Sequence, residues 1–225
     1  MFGDRFRNRE EAGAMLGAEV ARRLGRAADA IVLALPRGGV PVGAGVANAL
    51  GATLDVFVVR KLGVPWQEEL AMGAIASGGV RVMNDEVLAM VRIPPAAIEE
   101  VAARERRELE RREREYRGDR PPLDVRGRVA IVVDDGLATG STMRAAVEAL
   151  KKMGPQRVVV AVPVAARSTC DLLRRQADEV ICLRTPEPFE AVGLWYEDFT
   201  QTTDAEVSAL LDRASRQAPS GTERR

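Results

Sequence analysis

The stretch Ala130–Met143, AIVVDDGLATGSTM, places two adjacent carboxylates, Asp134 and Asp135, directly after an apolar β-branched run. Three hydroxyls follow, on Thr139, Ser141 and Thr142. A run of that kind suits a strand buried on both faces, and the residues after Gly140 suit the first turn of a helix. Gly136 to Gly140 must turn the chain with little bulk, and Gly140 can take a positive φ at no steric cost. Backbone N–H groups of Ala138 to Thr142 would then point into the concavity at the helix N-terminus. The helix dipole favours an anion there by roughly 0.3–1 kcal/mol, and a phosphate monoester is the guest these groups suit. A Walker-type loop fails, because no lysine stands between Gly140 and Ser141. An ordinary strand–turn–helix junction capped by Ser141 is the alternative, and it accounts for one hydroxyl rather than three.

Two other stretches end apolar runs with chemistry. LPRGG, Leu35 to Gly39, closes AIVLAL and read alone is a turn. VVRK puts Arg60 and Lys61 at the end of LDVFVVRK, which taken alone is equally a solvated strand terminus. Lysine occurs only at positions 61, 151 and 152, so its presence here is informative.

VVDDGLATGST resembles the signature of the type I phosphoribosyltransferases, which bind 5-phosphoribosyl 1-diphosphate (PRPP). The resemblance spans roughly Ile31 to Val164 and implies an α/β fold, a central mostly parallel sheet flanked by helices, with a small hood and a long charged helical insertion. It implies that Ala138, Thr139, Gly140, Ser141 and Thr142 hold the 5-phosphate. Asp134 and Asp135 would accept the ribose 2- and 3-hydroxyls, as ionised carboxylates do well. Arg37, Gly38 and Gly39 would meet the diphosphate, in a loop that relatives can build with a cis peptide, here before Arg37. Arg60 and Lys61 would meet it from a third strand end. The implied catalytic residues are Asp134, Asp135 and Lys61. Mg²⁺ would bridge ligand oxygens, reaching Asp134 and Asp135 mostly through ribose hydroxyls or water. The implied activity is transfer of the phosphoribosyl group to a nitrogenous base. A sensor using the same pocket without turnover is the alternative. The hypoxanthine–guanine branch commonly has an aspartate where this chain has Ala138, which lowers the case for a 6-oxopurine. Acceptor recognition belongs to the hood, so Trp195 and Tyr196 are candidates to stack on a base, against the plainer reading that they pack the hood onto the core.

The elements that must position these groups alternate. A helix is expected from about Asn8 to Arg26, then strands at AIVLAL, LDVFVVRK, VAIVVD, RVVVAVPV and EVICLR, with helices at VGAGVANALG, STMRAAVEALKKMG and RSTCDLLRRQ. Such alternation argues for a parallel sheet with ligands at the strands' carboxyl ends. Gly63 to about Met83 falls where the family has a mobile lid, and it suits a hairpin centred on Ser77-Gly78-Gly79. Pro95 to Pro122 reads as a solvated helix whose charges pair along it, such as Glu105 with Arg112 or Glu110 with Arg114, rather than as a nucleic-acid arm. Thr203 or Asp204 would cap a terminal helix. The expected organisation is one domain over 1–213, with the core at about 30–183, lid and insertion at about 63–122, hood at about 184–207, and a fraying tail at 214–225.

Composition narrows the classes further. With 46% hydrophobic and 29% charged residues in 225, the chain suits a soluble folded domain. Zero formal net charge gives no field to attract nucleic acid or a membrane. The absence of histidine excludes a His-ligated metal, a Ser-His-Asp triad and a Cys-His dyad. Cys170 and Cys182 read as reduced core residues. The charged N-terminus and the lack of any apolar run near 18 residues point to the cytoplasm. PRPP and a small base are the expected partners, and a homodimer is the family's habit.

Overall fold

The computed structural model describes residues 5–25 and 29–217. In chain order the elements are α1 (Arg9–Leu24), β1 (Ala30–Ala34), α2 (Gly39–Leu50), β2 (Thr53–Val56), β3 (Val59–Val64), β4 (Gln67–Ala76), β5 (Val80–Met83), α3 (Asp85–Val91), α4 (Pro95–Arg117), β6 (Val129–Val133), α5 (Ser141–Lys152), β7 (Arg157–Val164), α6 (Arg167–Leu173), β8 (Glu179–Arg184) and α7 (Asp204–Gln217).

A five-stranded sheet in the order β2-β1-β6-β7-β8 forms the centre, and all its pairings are parallel. Its inner strands β1 and β6 are apolar throughout because both faces are covered. Val32, Ala34, Ile131 and Val133 pack with Leu16, Val20, Val42 and Val46 of α1 and α2. Ile31, Leu33, Ala130 and Val132 face the other way, onto Met143, Val147 and Leu150 of α5 and Cys170 and Leu173 of α6. Register decides where the loops at the strands' carboxyl ends fall. Ala34 lies opposite Val133, which lies opposite Ala161, so the loops leaving β1 and β6 emerge side by side.

One expected strand divides. LDVFVVRK leaves the parallel sheet after Val56, and Val59–Val64 joins an antiparallel sheet in the order β3-β4-β5. Between them Phe57 N–H donates to the Ala34 carbonyl at 2.9 Å and Val58 N–H donates to Ser77 Oγ at 2.9 Å, so the chain is handed from one sheet to the other. Apolar content is the same in both strands, which is why periodicity cannot place the break. The hairpin expected around Ser77-Gly78-Gly79 is present as a 3₁₀ turn joining β4 to β5, with Gly78 and Gly79 at φ 78° and 73°.

The charged insertion is a helix, but it is solvated on one side only. Val101, Ala102, Glu105, Leu109 and Tyr116 of α4 are buried. Its charges also pair differently from expectation: Glu105 bonds Arg60 and Arg104, while Arg112 bonds Glu108. Arg117 forks onto Asp55 of β2 with both bonds at 3.0 Å. A buried stripe on an otherwise charged helix has too few apolar residues to stand out in sequence. α1 ends at Leu24, and Arg26 lies outside the described residues. α7 continues to Gln217, into the 214–225 stretch expected as a tail, and 218–225 lie outside the described residues.

Candidate functional site

The loop after β6 is built around one left-handed glycine. Gly140 has φ 68° and ψ 11°, and a Cβ there would lie 2.5 Å from Thr169 Cγ2, so no other residue fits without movement. Thr169 Oγ1 donates to the Ala138 carbonyl at 2.5 Å, and Leu137 N–H donates to the Val164 carbonyl at 3.0 Å. These bonds anchor the loop to α6 and β7. No side chain caps the N-terminus of α5, and its first turn carries no acidic residue. The Ser141 cap expected of an ordinary junction is therefore not made; Ser141 Oγ lies 3.2 Å from Thr139 Oγ1 instead. The exposed hydroxyls and uncapped N–H groups leave an anion-ready helix end.

Asp134 and Asp135 stand at the strand end as expected. Asp134 Oδ1 accepts the Asp135 N–H at 2.9 Å. Burial, and then the neighbouring charge of Asp135, raise the Asp134 carboxyl well above the ordinary carboxylate range. Burial also raises Asp135, opposed by its bond to Arg9. That arginine was not marked by any sequence signal. Arg9 Nε donates to Asp135 Oδ2 at 2.8 Å and Nη1 donates to the Thr200 carbonyl at 2.7 Å. Its only local cue is its position in the first turn of α1, behind the Asn8 cap.

The loop after β1 carries a cis peptide between Pro36 and Arg37, at the position expected. Gly38 lies against the acidic pair: a Cβ there would collide with Asp135 Oδ2. Gly39 would likewise press on the Val133 carbonyl at 2.7 Å. The two loops are thus brought together. Arg37 reaches Asp204 at the start of α7, 3.6 Å away, and Asp204 also accepts the Tyr116 hydroxyl at 2.6 Å.

Arg60 and Lys61 sit early in β3 rather than at the end of β2. Arg60 donates to Glu105 at 2.7 Å, and Lys61 to Glu69 at 3.2 Å. Lys61 shares with Ser141 and Thr142 an open cavity of about 460 Å³ that runs beneath the β4–β5 hairpin. Asp134, Asp135 and Arg37 do not line it. The expected groups therefore fall into two neighbouring sets, joined by the loop 138–142.

The hood does not form a strand around Trp195 and Tyr196. Val192–Trp195 is a 3₁₀ turn, and Tyr196 makes a single bridge with Phe6. Both rings consequently pack on one cluster with Phe6 and Val164, which strand alternation would forbid. Tyr196 is 2% exposed, and its hydroxyl donates to the Asp135 carbonyl at 2.6 Å. Burial raises its phenol above the ordinary value. Thr203 and Glu206 exchange capping bonds at the start of α7, so Thr203 is the cap.

The sequence matches the phosphoribosyl transferase domain over residues 8–196, and the chain belongs to that family. A candidate phosphoribosyl transferase of Mycobacterium tuberculosis is 48% identical over 211 residues, covering 94% of this chain and 47% of that protein. The chain thus spans about half the length of the curated relatives it matches. The crystal structure of TT1426 from Thermus thermophilus superposes with a TM-score of 0.81 at 45% identity, over 92% of this chain and 97% of that one. A shorter likeness joins 75 residues, at 35% identity, to a ribose-phosphate pyrophosphokinase of Pyrococcus furiosus, covering 32% of this chain and 27% of that enzyme. Among the described residues no helix is long and apolar enough to cross a membrane.

Proposed function

We propose that the chain transfers the 5-phosphoribosyl group of PRPP to a nitrogenous base and releases diphosphate. One observation carries the reading: the uncapped N-terminus of α5 lies one short loop from two adjacent carboxylates. A phosphate fits the first and a ribose diol the second. Ala138 to Thr142 bind the 5-phosphate through N–H and hydroxyl groups, and Asp134 and Asp135 accept the diol. Arg37, Gly38 and Gly39 receive the diphosphate, joined by Arg60 and Lys61 once their carboxylate partners give way. A nitrogen of the acceptor forms the new bond at ribose C1 as the C1–diphosphate bond breaks, with inversion; diphosphate leaves with the bonding pair and the nitrogen gives up its proton to water. The chain acts chiefly by positioning and charge stabilisation, and the β4–β5 hairpin excludes water.

Among the described residues no group of three or more His, Cys, Asp or Glu gathers as a metal cage. Two carboxylates beside a sugar site suit Mg²⁺, which Asp134 and Asp135 would help to hold, mostly through ribose hydroxyls or water. The chemistry Mg²⁺ would supply when bound is charge neutralisation for the departing diphosphate. Ala138 offers no carboxylate to a purine, which disfavours a 6-oxopurine acceptor. The partners in this reading are PRPP and a small base, in the cytoplasm, without nucleic acid.

A second reading has its own support. Arg37, Arg60 and Lys61 are all engaged by internal carboxylates, which suits a PRPP or nucleotide sensor that changes shape without turnover. The test is a panel of bases with PRPP and Mg²⁺, following diphosphate release. Release with one class of base supports transfer. PRPP binding without release from any base supports the sensor.

A further inference from the structure

Arg9 is held in a way that a surface arginine is not. Its side chain is 11% exposed, and it joins three separate parts of the chain. Nε donates to Asp135 Oδ2 at 2.8 Å, Nη1 donates to the Thr200 carbonyl at 2.7 Å, and the guanidinium lies 3.9 Å from the centroid of Phe199. Beside the same oxygen stands Gly38, where a Cβ would collide with Asp135 Oδ2 and lie 3.2 Å from Arg9 Nε. Asp135 is therefore walled by the loop after β1 and by the first turn of α1. The planar guanidinium, fixed by the ring and the carbonyl, has little freedom left to follow the carboxylate.

We propose that Arg9 is the positioning residue of the sugar site: it commits one carboxylate oxygen of Asp135 and leaves the other turned to a ribose hydroxyl. This rests on the assignment of Asp134 and Asp135 to the ribose diol. Recognition of the sugar then depends on a side chain 126 residues away in sequence. Because Phe199 and Thr200 hold Arg9, the position of the hood is transmitted to the sugar site through one guanidinium. A merely structural clamp between α1 and the hood would stabilise the fold without reading a hydroxyl.

A cycle between protein and ligand separates the two. Dissociation constants are measured by calorimetry for ribose 5-phosphate, 2-deoxyribose 5-phosphate, 3-deoxyribose 5-phosphate and inorganic phosphate, with wild type, Arg9→Met and Arg9→Lys. Wild type should prefer ribose over at least one deoxy sugar by about tenfold, the worth of one charge-assisted hydrogen bond. In Arg9→Met that preference should fall to near unity while phosphate affinity is unchanged. Arg9→Lys, which keeps the charge and N–H donors but not the planar fork, should retain part of it and serves if Arg9→Met does not fold. A wild-type preference in both variants overturns the role of Arg9 and leaves the sugar-site assignment standing. Equal affinities for all three sugars in the wild type itself defeat that assignment instead.

Discussion

Asp134 shows how the site strains against the fold that holds it. Burial raises its carboxyl, so the folded protein binds that proton more tightly than the unfolded chain does. Stability contributed by the protonated form is present at low pH and is lost as pH rises from the ordinary carboxylate value through the raised one. Asp134→Asn keeps an acceptor for the Asp135 N–H while removing the charge. The variant should melt higher than wild type at pH 8, with the gap closing toward pH 4; a lower melting temperature at pH 8 would contradict the account. A cost of this sort is common where carboxylates are kept for binding rather than stability. These two aspartates were readable in sequence because strand, loop and helix follow one another without interruption. Arg9 was not, since its meaning comes from Asp135, Phe199 and Thr200, none of which is near it in the chain.

At the scale of elements, α4 is fastened to β2 by a buried fork. The side chains of Arg117 and Asp55 are 11% and 10% exposed, and Arg117 also donates to the Pro121 carbonyl at 2.6 Å. Removing one partner leaves a buried charge, a change that costs about 3–5 kcal/mol, whereas replacing both with apolar residues is often nearly neutral. Arg117→Met should therefore lower unfolding free energy by about that much, and Asp55→Leu with Arg117→Met should recover most of it. Chemical denaturation of the two variants checks this, and equal losses in both would refute it. The fork could not be foreseen, because the insertion's arginines and glutamates look alike until a neighbour buries one of them. The same holds for LDVFVVRK. Its apolar pattern announced a strand, but the transfer between sheets is set by Ala34 and Ser77, which lie elsewhere in the sequence. By contrast the other four parallel strands and the helix after Gly140 are legible, each carrying its own run of apolar residues.

Considered as a whole molecule, the chain sets the loops after β1 and β6, its proposed ligand loops, at the carboxyl edge of a parallel sheet, flanked by a hairpin sheet on one side and a hood on the other. Internal ion pairs span these parts: Arg37 with Asp204, Arg60 with Glu105, Arg9 with Asp135. A multiply charged ligand entering here would replace protein carboxylates at Arg37 and Arg60, so binding and rearrangement of the hood and insertion go together. In the proposed reaction everything depends on the acidic pair, Asp134 and Asp135, holding the ribose of PRPP. Calorimetric titration of PRPP with Mg²⁺ into wild type and Asp135→Asn tests it most directly. Wild type should bind, and the variant should bind at least about tenfold more weakly, the loss expected for a charged acceptor. Wild-type affinity in Asp135→Asn, or no binding to the wild type, would contradict it.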